Sequence, residues 1–238
     1  MDYFFVDPKD VHDRVALVRG DEFKHLSRVL RKKEGEPVVL LDGEDHWYEA
    51  VIQSIDKVHA ECEILEVKQR VNEPKIDITL AVSLLRNPAR FDVLIEKATE
   101  LGVRTIVPLI CERTVARSEK HTRLEKIALA AMKQCGRSYL PKVLGLSPLA
   151  EVLENGERYS LRLVPHEKTE QSQFIGTVLQ HHPNPASVLV IVGPEGGFTD
   201  SEMALANQYG CVPISLGPRR LRAETAAISA VSWVVGGW

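Results

Sequence analysis

Two short loops carry residue types with which a fold can hold a small ligand and act on it. SVLVIV (187–192) runs into Gly193-Pro194-Glu195-Gly196-Gly197 and then TDSE, and VPISLG (212–217) runs into Pro218-Arg219-Arg220-Leu221-Arg222 and then AETAA. Each reads as a strand, a tight turn and the start of a helix. In open α/β sheets, ligands collect at the carboxyl ends of strands. Glycine there lets backbone amides and carbonyls approach a ligand closely. A single loop of this kind can be nothing more than glycines that end a strand. Two of them, one with Gly-Pro-Glu-Gly-Gly, point to a shared pocket. Neither loop is G-x-G-x-x-G or G-x-x-x-x-G-K-[ST], and neither holds a lysine, which disfavours a dinucleotide or a triphosphate. A ligand of little net negative charge fits better, such as an adenosine held by main-chain hydrogen bonds.

Composition narrows the setting. The 238 residues suffice for one large domain or two modest ones. Hydrophobic content of 44% and charged content of 26% are those of an ordinary globular chain, and no run reaches the length of a membrane span. MDYFFVDPKD lacks a signal-peptide layout. Cys62, Cys111, Cys135 and Cys211 are scattered without a CxxC pair, which argues against a disulfide framework or zinc site and for a cytoplasmic location. His181-His182, beside Pro183, reads as a solvated turn, so no metal is expected. The first 72 residues carry 11 Lys and Arg against 16 Asp and Glu, and the remainder 19 against 17. A nucleic-acid binder with this balance needs local basic patches, and one is visible at Arg28, Arg31, Lys32 and Lys33.

The elements that would position these residues fall into two groups. VVLLDG (38–43), HWYEAVIQSI and HAECEILEV (59–67) predict an antiparallel sheet or small barrel turning at Asp42-Gly43. DEFKHLSRVLRKKEG predicts one helix with Phe23, Leu26 and Leu30 on a face and Gly35 as its stop. QRVNEPK (69–75) marks a boundary, giving domains at 1–70 and 75–238. Beyond it strands alternate with helices: strands at 76–85, 103–110, 161–166, 187–193 and 211–217, and helices from Asn87-Pro88 to Gly102, over 123–137, from Thr199 to about Tyr209, and over 222–235. The pattern is that of an α/β domain with a mainly parallel sheet.

GPEGGFTDSE and LGPRRLRAETAA resemble the two C-terminal motifs of SPOUT-class methyltransferases, and most closely those of the RsmE family. HLSRVLRKKEG (25–35), RFDVLIEKATELGVRTIVP (90–108) and KQCGRSYLP (133–141) are similar to that family's upstream motifs, in the same order. One departure is Arg220, where the family often has an aliphatic residue before Leu221. The resemblance implies a small N-terminal PUA-like β-barrel for RNA binding, a SPOUT-type parallel-sheet domain with a trefoil knot, a homodimer and S-adenosylmethionine. It implies donor binding by Val192, Gly193, Pro194, Glu195, Gly196, Gly197, Leu216, Gly217, Leu221, Arg222, Thr225 and Ala226. It implies methylation of uridine N3 in 16S rRNA, at position 1498 by family convention. The acidic overall charge predicts weak binding of free RNA, which points to the assembled 30S subunit as substrate. Another RNA target (a ribose 2′-hydroxyl or a tRNA) and a non-catalytic assembly protein are the alternatives.

Uracil N3 is protonated at neutral pH, so methyl transfer needs a proton acceptor or a cation to hold the uracil anion. Arg222, Glu195, Lys97, Glu100 and Arg90 are the candidates, with Arg222 and Glu195 expected nearest the reacting centre. Each has a plainer reading. Glu195 can pin its loop through backbone amides, and Lys97 with Glu100 can form a solvated helix pair. Glu224 can simply occupy the first turn of its helix. RNA contacts are expected from Arg28, Arg31, Lys32, Lys33, Arg86, Arg90, Arg113, Arg117 and Arg137.

Overall fold

The computed structural model describes residues 2–236, so Met1 and the last two positions of the 75–238 span lie outside them. The chain divides into two compact units, residues 1–73 with 129–140 and residues 74–128 with 141–238.

The first unit is built on six strands: β1 (Tyr3–Phe5), β2 (Val11–His12), β3 (Val15–Arg19), β4 (Pro37–Leu41), β5 (His46–Ile55) and β6 (His59–Gln69). Their order is β1-β4-β5-β6-β3-β2. All pairings are antiparallel except β1 with β4. The run VVLL in β4 is apolar at every position because both faces are covered. Val38 and Leu40 enter one core with Phe4, Val18 and Ile52. Val39 and Leu41, facing the other way, meet Trp47, Leu129 and Met132. That second cluster is the physical reason residues 129–140 belong to this unit. The β4–β5 turn depends on Gly43 and Asp45, both at positive φ (76° and 74°). The buried Asp42 carboxylate accepts from the backbone N–H groups of Glu44 (2.8 Å) and His46 (3.2 Å) and from the Tyr48 hydroxyl (2.9 Å). Burial, reinforced by Asp42, holds the Tyr48 hydroxyl above its ordinary pKa.

The basic helix is shorter than the sequence predicts. Helix α1 (Gly20–Lys24) passes into one π-helical turn, His25–Val29, and Arg31 at φ 54° ends it four residues before Gly35. A π turn inserts an extra residue and rotates the downstream side chains off the original face. Phe23 and Leu26 are accordingly buried, whereas Leu30 is exposed.

The second unit contains a fully parallel sheet. Its strands are β7 (Asp77–Ser83), β8 (Thr105–Ile110), β9 (Lys142–Val143), β10 (Ser147–Pro148), β11 (Leu161–Pro165), β12 (Ser187–Val192) and β13 (Val212–Ile214). The order is β10-β8-β7-β12-β11-β13, with β9 beside β8. The helices are α2 (Pro88–Glu100), α3 (His121–Cys135, whose second half belongs to the first unit), α4 (Leu149–Glu154), α5 (Ile175–His181), α6 (Asp200–Gln208) and α7 (Ala223–Gly236). Local signals set several of them. Asn87 caps α2, accepting from Ala89 N–H at 3.0 Å, with Pro88 at the first position. Gly102, at φ 93°, terminates it. Thr199 and Glu202 form the capping box of α6. Helix α7 packs on α2, α5, β7 and β12 and buries Ala227, Ala230, Val231 and Val234. The sequence pattern did not disclose α4, α5, β9 or β10. Each is too short to show a period.

Candidate functional site

Three loops, leaving the carboxyl ends of the adjoining strands β11, β12 and β13, enclose a cavity of about 830 Å³. The first contributes Pro165 to Thr169 and Gln171, the second Val192 to Glu195 with Gly197 and Phe198, and the third Ser215 to Ala223, with Ala226 behind it. The first and third loops are stitched together at their roots. His166 N–H donates to Ile214 O (3.1 Å), Ser215 N–H to Gln173 O (2.9 Å), and Ile175 N–H to Ser215 O (3.0 Å).

The middle loop is held on two sides. Glu195 Oε1 accepts from the backbone N–H of Arg86 at 2.9 Å, so this carboxylate does pin its loop while also lining the cavity. Arg113 Nη1 donates to Gly196 O at 2.9 Å and to Phe198 O at 3.4 Å. Gly193 packs tightly: a Cβ there would stand 3.0–3.2 Å from the Phe198 ring and press it aside by a few tenths of an ångström. In the third loop Gly217, at φ 103°, makes the turn that an L side chain resists. Burial, assisted by Lys168, lowers the pKa of His166, so the wall it forms carries a neutral imidazole near pH 7.

Of the residues expected to bind a donor, Val192, Gly193, Pro194, Glu195, Gly197, Leu216, Gly217, Leu221, Arg222 and Ala226 line this cavity. Gly196 and Thr225 lie outside the lining: Gly196 turns toward Arg113, and Thr225 is exposed on α7. Sequence reasoning missed the loop after β11. Its signal was available, because LRLVPH reads as a strand and ligands gather beyond strand ends.

Lys97 and Glu100 are not brought to the cavity. Lys97 Nζ bridges Glu100 (2.8 Å) and Glu96 (2.7 Å) on the surface of α2, and those hydrogen bonds, Glu100's first, raise its pKa. Among the cationic candidates, Arg28, Arg31, Lys33, Arg86 and Arg117 are exposed, and Lys32 pairs with Asp2 at 3.1 Å. Arg113 is engaged by the middle loop, and Arg90 stands 3.7 Å from Glu224. Arg137 corrects the expectation of an RNA contact. Its side chain is 1% exposed and forks onto Glu73, itself 0% exposed, through Nε–Oε1 (3.0 Å) and Nη2–Oε2 (2.7 Å). A cation in KQCGR looks solvent-bound in sequence; only the fold supplies the buried carboxylate 64 residues upstream.

A parallel sheet whose last three strands deliver backbone-rich loops to one cavity, in a chain that also carries an N-terminal unit built on a mixed sheet, fits an α/β methyltransferase of the SPOUT type. The comparisons with known proteins agree. A family model described as an RNA methyltransferase domain matches residues 72–235, and one described as an RNA methyltransferase PUA domain matches residues 18–65. The chain is 32% identical to the ribosomal RNA small subunit methyltransferase E of Synechocystis over 96% of this chain and 75% of that protein. It is 32% identical to the protein of the same name from Aquifex aeolicus, over 92% and 93%. A crystal structure of ribosomal RNA small subunit methyltransferase E from Neisseria gonorrhoeae, bound to S-adenosyl methionine, superposes with a TM-score of 0.83 at 30% identity, covering 98% of this chain and 95% of that one. The chain belongs to the ribosomal RNA small subunit methyltransferase E family.

Proposed function

We propose that this protein transfers a methyl group from S-adenosylmethionine to N3 of a uridine in 16S ribosomal RNA, position 1498 by family convention. The observation that carries the reading is the three-loop cavity, whose volume suits a folded nucleoside with an amino-acid tail. The lining fits that donor. Its walls offer backbone amides and carbonyls around Gly193, Gly197 and Gly217 and apolar surface from Val192, Leu216, Leu221 and Ala226. The donor supplies an electrophilic methyl on a sulfonium, chemistry that needs no metal. The chain itself must supply position and charge. Alignment of the reacting atoms is worth up to about 7–11 kcal/mol of the barrier. The rigid attachment of the middle loop through Glu195 and Arg113 serves that alignment. Arg222 is exposed and lines the cavity, which supports reading it as a group that meets negative charge on the incoming base.

The same reading takes residues 1–70 as an RNA-binding PUA-like domain and 75–238 as the methyltransferase domain. It takes Arg28, Arg31, Lys33, Arg86 and Arg117 as phosphate contacts, the assembled 30S subunit as substrate, a homodimer as the acting form and the cytoplasm as its location. A target uridine has to be unstacked to expose N3. The test is mass mapping of ribosomal RNA from cells lacking the protein, with calorimetry of the purified protein against S-adenosylmethionine. A single missing N3-methyluridine and a measurable donor affinity are expected. A missing methyl group on a ribose or on a tRNA, or no donor binding, overturns the reading.

A further inference from the structure

One carboxylate next to the cavity wall lacks the hydrogen bonding that burial demands. Glu224 follows Arg222 and Ala223, both of which line the cavity, and occupies the first turn of α7. Its side chain is 14% exposed, and Oε2 is closed to solvent with no hydrogen-bond partner. Oε1 stands 3.7 Å from Arg90 Nε, inside the range of charge attraction but too long for a hydrogen bond. Arg90 lies in the first turn of α2, four residues after Arg86, whose N–H is held by the cavity carboxylate Glu195. Among the described residues Arg90 has no other side-chain partner, and its side chain is 40% exposed. A guanidinium is therefore kept in place by charge while its hydrogen-bonding fork stays open.

We propose that Glu224 is a positioning residue for Arg90, and that Arg90 is a second cation, in addition to Arg222, that meets the target uracil. The inference rests on the reading given under Proposed function. When N3 gives up its proton to solvent hydroxide, the electron pair stays on the ring and the charge spreads to the two carbonyl oxygens. N3 then forms its bond to the methyl carbon as the carbon–sulfur bond breaks and the sulfonium becomes a neutral thioether. A permanently charged, planar donor suits those ring oxygens, and its hydrogen bonds strengthen as the anion forms.

The experiment is single-turnover methylation of small ribosomal subunits from about pH 6 to about pH 9.5, with wild type, R90A, R90K, E224Q and the R90A/E224Q double variant. Near neutral pH, R90A is expected to lose on the order of 10²-fold in rate and E224Q at least about tenfold, with the double variant no slower than R90A. The losses shrink as pH rises, because alkali removes the N3 proton unaided. They also shrink when the target is 5-fluorouridine, whose N3 is more acidic. Donor affinity by calorimetry stays at the wild-type value throughout. A loss that is the same at every pH and with both bases, a normal rate in E224Q, or additive effects in the double variant overturn the proposal. If the wild type itself methylates no uridine N3, the failure belongs to the proposed function instead.

Discussion

Replacing Arg137 with alanine separates two readings of this residue by opposite signatures. The guanidinium is 1% exposed, is bonded in a fork to Glu73, and shares that carboxylate with the backbone N–H of Tyr139, 3.1 Å from Oε1. Glu73 is 0% exposed, so deleting the cation strands a negative charge that water cannot reach. Breaking a buried pair in this way costs about 3–5 kcal/mol. With a urea slope of about 2 kcal/mol/M, the unfolding midpoint should fall by roughly 2 M. The Trp47 indole, 7% exposed in the core that contains Met132, reports unfolding of this unit by fluorescence. Arg137→Lys keeps the charge but not the fork, and should fall between wild type and alanine. An RNA-contacting arginine would behave the other way. Arg28, exposed on the basic turn, should leave the midpoint unchanged on replacement and reduce the salt slope of RNA binding by about 0.7–0.9 for each phosphate it neutralises. A midpoint for Arg137→Ala equal to wild type, together with a reduced salt slope, would refute the buried-pair argument.

The same geometry sets three more outcomes. In Gly102→Ala, a Cβ would stand 2.2 Å from Pro74 Cγ at a residue with φ 93°; a loss of about 3 kcal/mol in urea unfolding is expected, and a neutral effect would contradict the packing. Glu195→Ala removes the acceptor for Arg86 N–H, worth about 1.5–3 kcal/mol, so donor affinity by calorimetry should weaken roughly 10–150-fold, with Glu195→Gln recovering most of it; an unchanged affinity would show that the middle loop holds its shape without this bond. Burial pushes the thiols of Cys62 and Cys111 up to about 12 and that of Cys211 up to about 11, so at pH 8 all three stay neutral, while Cys135 is only half-buried. The reactive form is the thiolate, so maleimide labelling of the folded protein at pH 8 should give one adduct by mass spectrometry, on Cys135; a second adduct on Cys111 would contradict its burial.

Local chemistry was legible in the chain. Asn87-Pro88 opening α2, Thr199 with Glu202 opening α6 and Gly102 ending a helix are all settled by groups within four residues of one another, so the signal and the structure occupy the same window. The glycines and arginines of 193–197 and 216–222 announced a pocket because strand ends and backbone access are also local properties. The run VVLL announced burial, although not that two different cores would share it. Tertiary structure decided the rest. The cavity's third wall, 165–171, carries no motif of its own and becomes functional only because β11 lies between β12 and β13. Arg31 ended the basic helix early because a π turn had already moved Leu30 off the buried face. Arg137 and Glu73, 64 residues apart, became partners only when the chain folded them together, and the same holds for Arg90 with Glu224 and for Arg86 with Glu195. Sequence reports what a residue prefers among its neighbours. Burial and long-range partners, which set the work a charged group can do, exist only after the strands have taken their order.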